Sequence, residues 1–116
     1  MGTTVLIVDD HPTFRATARM LLEAEGYDVV GEAPDGTTAL TEASRLHPDL
    51  VLLDVNLPDL NGFQVAEQIT AQNGAPAVVL TSSRDSSDFG PLVTGSGARG
   101  SISKGDLSGA ALARLL

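Results

Sequence analysis

Val5-Leu6-Ile7-Val8-Asp9-Asp10 and Leu50-Val51-Leu52-Leu53-Asp54 share one plan, an unbroken apolar run that ends in acid. Short apolar runs of this kind, rich in β-branched residues, read as strands buried on both faces, as in a parallel sheet covered by helices. In open sheets of that type the ligand site lies just beyond the carboxyl ends of the strands. Asp9, Asp10 and Asp54 are therefore expected to converge on one edge. Carboxylates held there repel each other, so they either raise one another's pKa or hold a hard cation such as Mg²⁺ through oxygen ligands. The metal is the reading adopted.

Outward from these two runs the chain alternates between helical and strand patterns. Thr13 to Glu25 carries Phe14, Ala18, Leu21 and Leu22 at helical spacing, and Gly26 is placed to stop it. Asp28 to Ala33 reads as a second strand, and Pro34-Asp35-Gly36 as a turn. Thr37 to Leu46 puts Ala39, Leu40, Ala43 and Leu46 on one face, and His47-Pro48 closes it because a residue before proline avoids the helical region. Strand three is Leu50 to Leu53. Pro58 and Gly62 shape the loop that follows, and Phe63, Ala66 and Ile69 mark a third helix. Ala77 to Leu80 is a fourth strand, ending in Thr81-Ser82-Ser83, and Gly100-Ser101-Ile102 a fifth.

Arg84 to Gly97 contains Gly90-Pro91, Gly95 and Gly97. Proline inside a helix costs about 3 kcal/mol and glycine about 1 kcal/mol relative to alanine. A fourth helix here is expected to be short, broken or mobile. Leu107 to Leu116 resumes helical spacing. Five strands separated by helices give an α/β sandwich with a mostly parallel sheet.

Composition narrows the function classes. At 116 residues the chain is one domain, large enough for a single core. It has no cysteine, which excludes disulfides and thiolate metal sites and is compatible with a reducing cytosol. No basic leader precedes the first strand, and no stretch approaches the roughly 18 apolar residues of a membrane span. A soluble protein is expected. The net charge is −8, with the cations scattered along the chain, so direct binding of nucleic acid by these residues is not expected.

Asp9-Asp10, Asp54 and Thr81 each follow an apolar run, and Lys104 ends the fifth strand, so all can meet above one sheet edge. Taken singly they have ordinary explanations. An Asp pair after a strand is often a turn or a cap, Thr81 could cap a helix, and Lys104 could be a solvated cation. In this order and spacing they resemble the receiver domain of bacterial two-component response regulators. Val8-Asp9-Asp10-His11-Pro12 is similar to the subgroup whose receivers precede a LuxR-type (NarL-type) helix-turn-helix domain. The resemblance spans essentially the whole chain, residues 1–116, with Gly97-Ala98 and Ile102-Ser103-Lys104 matching the pattern around strand five.

The resemblance implies a flavodoxin-like (CheY-like) doubly wound sheet of order 2-1-3-4-5, helices on both faces, and a switch point between strands one and three that gathers Asp9, Asp10 and Asp54. It implies Asp54 as phosphoryl acceptor, with Mg²⁺ bound directly by Asp10, Asp54 and the Asn56 backbone carbonyl, and by Asp9 mainly through water. It implies phosphoryl contacts from Thr81, Ser82 and Lys104, with Thr81 acting as a switch hydroxyl, and tuning of hydrolysis by Asn56 and Ser83. Lys104 is the only lysine, a compact point charge where arginine would need room for a planar fork. The implied partners are a sensor histidine kinase and an effector, whether a following domain, another protein or a second copy. The implied setting is cytoplasmic, and the implied role is switching, with transcription as the output, rather than enzymatic turnover.

Two departures concern output. Ser101 stands where receivers commonly carry Tyr or Phe, and Gly105 follows Lys104 where proline or an acid is common. These keep a second reading alive, a pseudo-receiver acting only by protein contact. An aspartyl-phosphate hydrolase of the haloacid dehalogenase type is disfavoured, because Asn56 stands where its acid/base Asp would be. A flavin protein is disfavoured by the lack of aromatics to cover the ring and by acids where phosphate would sit. His11 reads as a loop residue and His47 as a helix-end residue suited to the dipole.

Overall fold

A computed structural model describes residues 2–83 and 90–116. In chain order the elements are β1 (Thr4–Val8), α1 (Pro12–Ala24), β2 (Asp28–Ala33), α2 (Gly36–Leu46), β3 (Leu50–Asp54), α3 (Gly62–Thr70), β4 (Ala77–Ser82), α4 (Gly90–Gly95), β5 (Gly100–Ser103) and α5 (Gly109–Leu115). The strands form one parallel sheet in the order β2-β1-β3-β4-β5. This is the doubly wound arrangement expected. From β1 the chain winds to β2 on one side and to β3 on the other, which opens a crevice at their carboxyl ends.

The continuous apolar runs exist because both faces of the sheet are covered. Val5, Ile7, Leu50, Leu52, Val79 and Ile102 pack beneath α1 and α5 with Ala18, Leu22 and Leu112. Their neighbours Leu6, Val8, Val51, Leu53, Val78 and Leu80 pack on the opposite face with Ala39, Phe63, Ala66, Ile69 and Val93 from α2, α3 and α4. Fully burying one such side chain contributes about 1.5–3 kcal/mol. Register carries this core up to the polar edge: Val8 pairs with Leu53, and Asp54 with Thr81.

Helix ends follow local chemistry. α1 starts at Pro12, whose missing N–H belongs to a turn that would leave it unpaired anyway. It ends where Gly26 takes φ 93°, with Gly26 N–H donating to Glu23 O and Tyr27 N–H to Leu22 O, a Schellman closure. α2 ends at His47, which adopts a left-handed φ of 47° before Pro48. Among the described residues α4 covers Gly90–Gly95. Arg84 to Phe89, the first part of the segment expected to be irregular, lie outside the described residues.

Several boundaries differ from expectation. α5 begins at Gly109 rather than Leu107, because Lys104–Asp106 forms a 3₁₀ turn and the Ser108 side chain caps the helix by accepting from Ala111 N–H. Leu107 is buried, yet it sits in the extended link before the helix. β3 and β4 also run further than their apolar residues, through Asp54 and through Thr81-Ser82. No helix among the described residues is long and apolar enough to cross a membrane.

Candidate functional site

Parallel strands that end together deliver Asp9, Asp54, Thr81 and Lys104 to one edge. Asp9 and Asp54 are 0% and 2% exposed, while Asp10 is partly open to solvent. Asp9 is pinned by the chain after β1: its Oδ1 accepts from the His11 N–H at 2.8 Å, and its carbonyl accepts from the Arg15 guanidinium. Arg15 and Arg19 in turn clasp Glu32 on β2 at 3.1 and 2.8 Å, tying α1 to the sheet.

Asp54 is held by the loop that follows it. Its Oδ1 accepts from the Asn56 N–H at 3.1 Å. Asn56 pairs with Asn61, and the Gly62 N–H donates to Val55 O, so the loop folds back on β3. Gly62 is needed here, since a Cβ would lie 2.3 Å from the Asp54 carbonyl oxygen and 2.6 Å from Val55 Cα.

Lys104 closes the group. Its Nζ lies 2.6 Å from Asp9 Oδ2 and 3.3 Å from Asp54 Oδ2, and 4.7 Å from the centre of the Phe14 ring. The ammonium therefore neutralises two buried carboxylates at once, and the ring face behind it adds a cation–π contact. Burial is the largest influence on Asp54 and pushes its carboxyl above the usual range, and the charge of Asp9 adds to this; the Asn56 N–H and Lys104 oppose it. Burial alone would lower the Lys104 pKa, but its hydrogen bond to Asp9 and the charges of Asp54 and Asp9 outweigh that and raise it.

The remaining expected residues are distributed unevenly. Thr81 and Ser82 are buried at the end of β4. Ser83 and Asn56 are exposed at the rim, and Asn56 meets Asp54 through its N–H. His11, read from sequence as a loop residue, brings its Nδ1 to 3.0 Å from Asp9 Oδ1 and 3.1 Å from Asp10 Oδ1. Phe14 and Arg15 also touch the site. Helical spacing alone marks Phe14 as core, and nothing local points Arg15 at the Asp9 carbonyl.

The residues fit a hard divalent cation. One ligand atom from each of Asp9, Asp10, His11 and Asp54 lies within 4.8 Å of the others. The Thr81 hydroxyl beside them is 1% exposed and has no hydrogen-bond partner. An unsatisfied buried hydroxyl costs about 1–3 kcal/mol, a deficit that a ligand with acceptor oxygens would relieve.

A family model for the response regulator receiver domain matches residues 5–112. The chain belongs to that family. The receiver is 37% identical over 100 residues to a protein of Pseudomonas aeruginosa described as a transcriptional regulator, a match covering 86% of this chain and 48% of the relative. A LuxR-family two-component response regulator from Aurantimonas sp. SI85-9A1 superposes with a TM-score of 0.87 at 30% identity, covering 99% of this chain and 86% of that one. The signal receiver domain of the response regulator NarL from Mycobacterium tuberculosis does so with a TM-score of 0.87 at 32% identity, covering 98% and 96%. The receiver spans about half the length of the curated relatives it matches. Membership removes the hydrolase and flavin readings: receivers are switched rather than turning over a substrate.

Proposed function

We propose that Asp54 accepts a phosphoryl group from a phosphohistidine of a sensor kinase, and that the change at this edge controls an effector that regulates transcription. The supporting observation is the burial of Asp54 between Asp9 and the Lys104 ammonium, with Asp10 at the mouth. In the reaction an Asp54 carboxylate oxygen forms a bond to phosphorus as the bond from phosphorus to the donor imidazole nitrogen breaks. The imidazole leaves with the electron pair and regains a proton from water, and Asp54 becomes an acyl phosphate.

Asp9, Asp10, Asp54 and the Asn56 carbonyl would hold Mg²⁺, which would neutralise charge on the transferring oxygens and orient donor and acceptor. Lys104 starts engaged with both carboxylates. Esterifying Asp54 removes the charge that holds one side of the ammonium and offers phosphoryl oxygens in its place. The Thr81 hydroxyl gains an acceptor it now lacks, with Ser82 next to it in β4. Whichever arrangement of the β4 edge satisfies these groups becomes the favoured state, which is a population shift. Asn56 and Ser83, small and polar at the rim, leave water some access and set the lifetime of the acyl phosphate.

The lengths of the relatives support a receiver module within a longer regulator, with output through a further domain. The test is intact mass after incubation with acetyl phosphate, with and without Mg²⁺, for the parent and for Asp54→Asn. The expected result is a Mg²⁺-dependent gain of one phosphoryl group that vanishes in the variant. No gain by folded parent protein would overturn the reading and favour a pseudo-receiver that works by protein contact, to which Ser101 on β5 already gives some support.

A further inference from the structure

We infer that His11 is an additional ligand of this site, so that the receiver binds imidazole-seeking divalent ions such as Co²⁺, Ni²⁺ or Zn²⁺ more tightly than its carboxylates alone would allow. The inference rests on the metal-site reading above and concerns which ions that site selects. The His11 Nδ1 stands 3.0 Å from Asp9 Oδ1 and 3.1 Å from Asp10 Oδ1. Around a six-coordinate ion with bonds of about 2.1 Å, adjacent donor atoms are separated by about 3 Å. The imidazole nitrogen and the two carboxylates already have the spacing of neighbouring ligands.

The ring reaches this position from a fixed backbone. His11 N–H is bound to Asp9 Oδ1, and Pro12 opens α1 immediately afterwards. The His11 side chain is 66% exposed, so the ring lies at the mouth of the site. With its hydrogen on Nε2, the neutral ring turns the Nδ1 lone pair toward the same two carboxylates, and a cation takes the place of the Nδ1 proton between them. A second observation points to a ligand at this edge: the buried Thr81 hydroxyl, in register with Asp54, has no partner.

Ion identity follows from donor chemistry. Mg²⁺ keeps oxygen ligands and water and gains little from an imidazole, whereas affinity for mixed nitrogen and oxygen sites rises through Co²⁺ and Ni²⁺. The experiment is calorimetric titration of the metal-stripped chain with Co²⁺ and, separately, Mg²⁺, for the parent, His11→Gln and Asp54→Asn. His11→Gln is expected to weaken Co²⁺ binding tenfold or more and Mg²⁺ binding no more than threefold, and the retained Mg²⁺ binding shows that the variant is folded. Unchanged Co²⁺ affinity, or equal losses for both ions, would overturn the role of His11 while leaving the metal site standing. If the parent binds neither ion, the metal-site reading itself fails, and Asp54→Asn shows whether any binding seen belongs to this edge.

Discussion

Asp54 carries a charge that its surroundings resist. Burial and the neighbouring Asp9 raise its pKa above the unfolded value of 3.8, so the protonated form favours folding and the ionised form opposes it. The stability associated with the protonated group is present below the unfolded pKa and is lost as pH rises through the folded one. At neutral pH, Asp54→Asn is therefore expected to stabilise the metal-free domain by about 1 kcal/mol, roughly 4 °C in thermal midpoint. Lys104 is not orphaned in that variant, because it keeps Asp9 at 2.6 Å. The gain should shrink as pH falls and the parent Asp54 takes up its proton. Lys104→Met is the opposite case, leaving two buried carboxylates face to face, and should cost about 3–5 kcal/mol. Thermal melts of the two variants from neutral to acid pH check both signs; a destabilised Asp54→Asn would mean that the Lys104 contact outweighs burial.

Between elements, the loop after β3 reaches across to α2. The Asp59 carboxylate accepts from Gly36 N–H at 2.8 Å, Thr37 N–H at 3.0 Å and Thr37 Oγ1 at 2.7 Å, while Asp35 caps the same helix through Thr38 N–H. Led by the Thr37 hydroxyl, these donors hold the Asp59 carboxyl down at about 2, from 3.8. Its contribution to stability is complete above the unfolded pKa and is lost as pH falls through the folded one. Asp59→Asn should lower the thermal midpoint at pH 7, and its difference from the parent should close between pH 4 and pH 2, a window set by the two pKa values. A difference that persists at pH 2 would locate the effect in loop packing instead. This contact also marks a limit of the sequence. β1, β3 and β4 were legible because burial on both faces writes an uninterrupted apolar run, and Asp9, Asp10, Asp54 and Thr81 because each follows such a run; β2 and β5 carry polar residues, and Lys104 was legible through the family pattern around strand five. Asp59 with Gly36, Lys104 over Phe14, and His11 between two carboxylates depend on side-chain direction across elements, which local pattern does not encode. The start of α5 was missed for a related reason: Leu107 is apolar and buried like a helical residue, but Ser108 is the cap.

At the scale of the molecule, the site is a product of folding. Asp9 and Asp10 follow β1, Asp54 ends β3, and only pairing of these strands, with Val8 beside Leu53, sets the carboxylates together. The unfolded chain holds no such cluster, so a cation that binds here binds the native state almost alone. Native-selective binding adds RT ln(1 + [L]/Kd) to stability, about 1.4 kcal/mol at ten times Kd. Because Lys104 already neutralises Asp9 and Asp54, the ion has to compete with an ammonium, which weakens its affinity without removing the linkage. Mg²⁺ is therefore expected to raise the thermal midpoint by roughly 5 °C at that excess, with the increment still growing at higher concentration as the logarithm requires. Asp10→Asn should flatten the dependence, since it removes the partly exposed carboxylate through which the ion enters while leaving both core faces intact. Melting curves over a Mg²⁺ series, with ionic strength held constant by a monovalent salt, separate this from general screening of the net charge of −8. An equal rise in parent and variant would assign the stabilisation to screening rather than to the site.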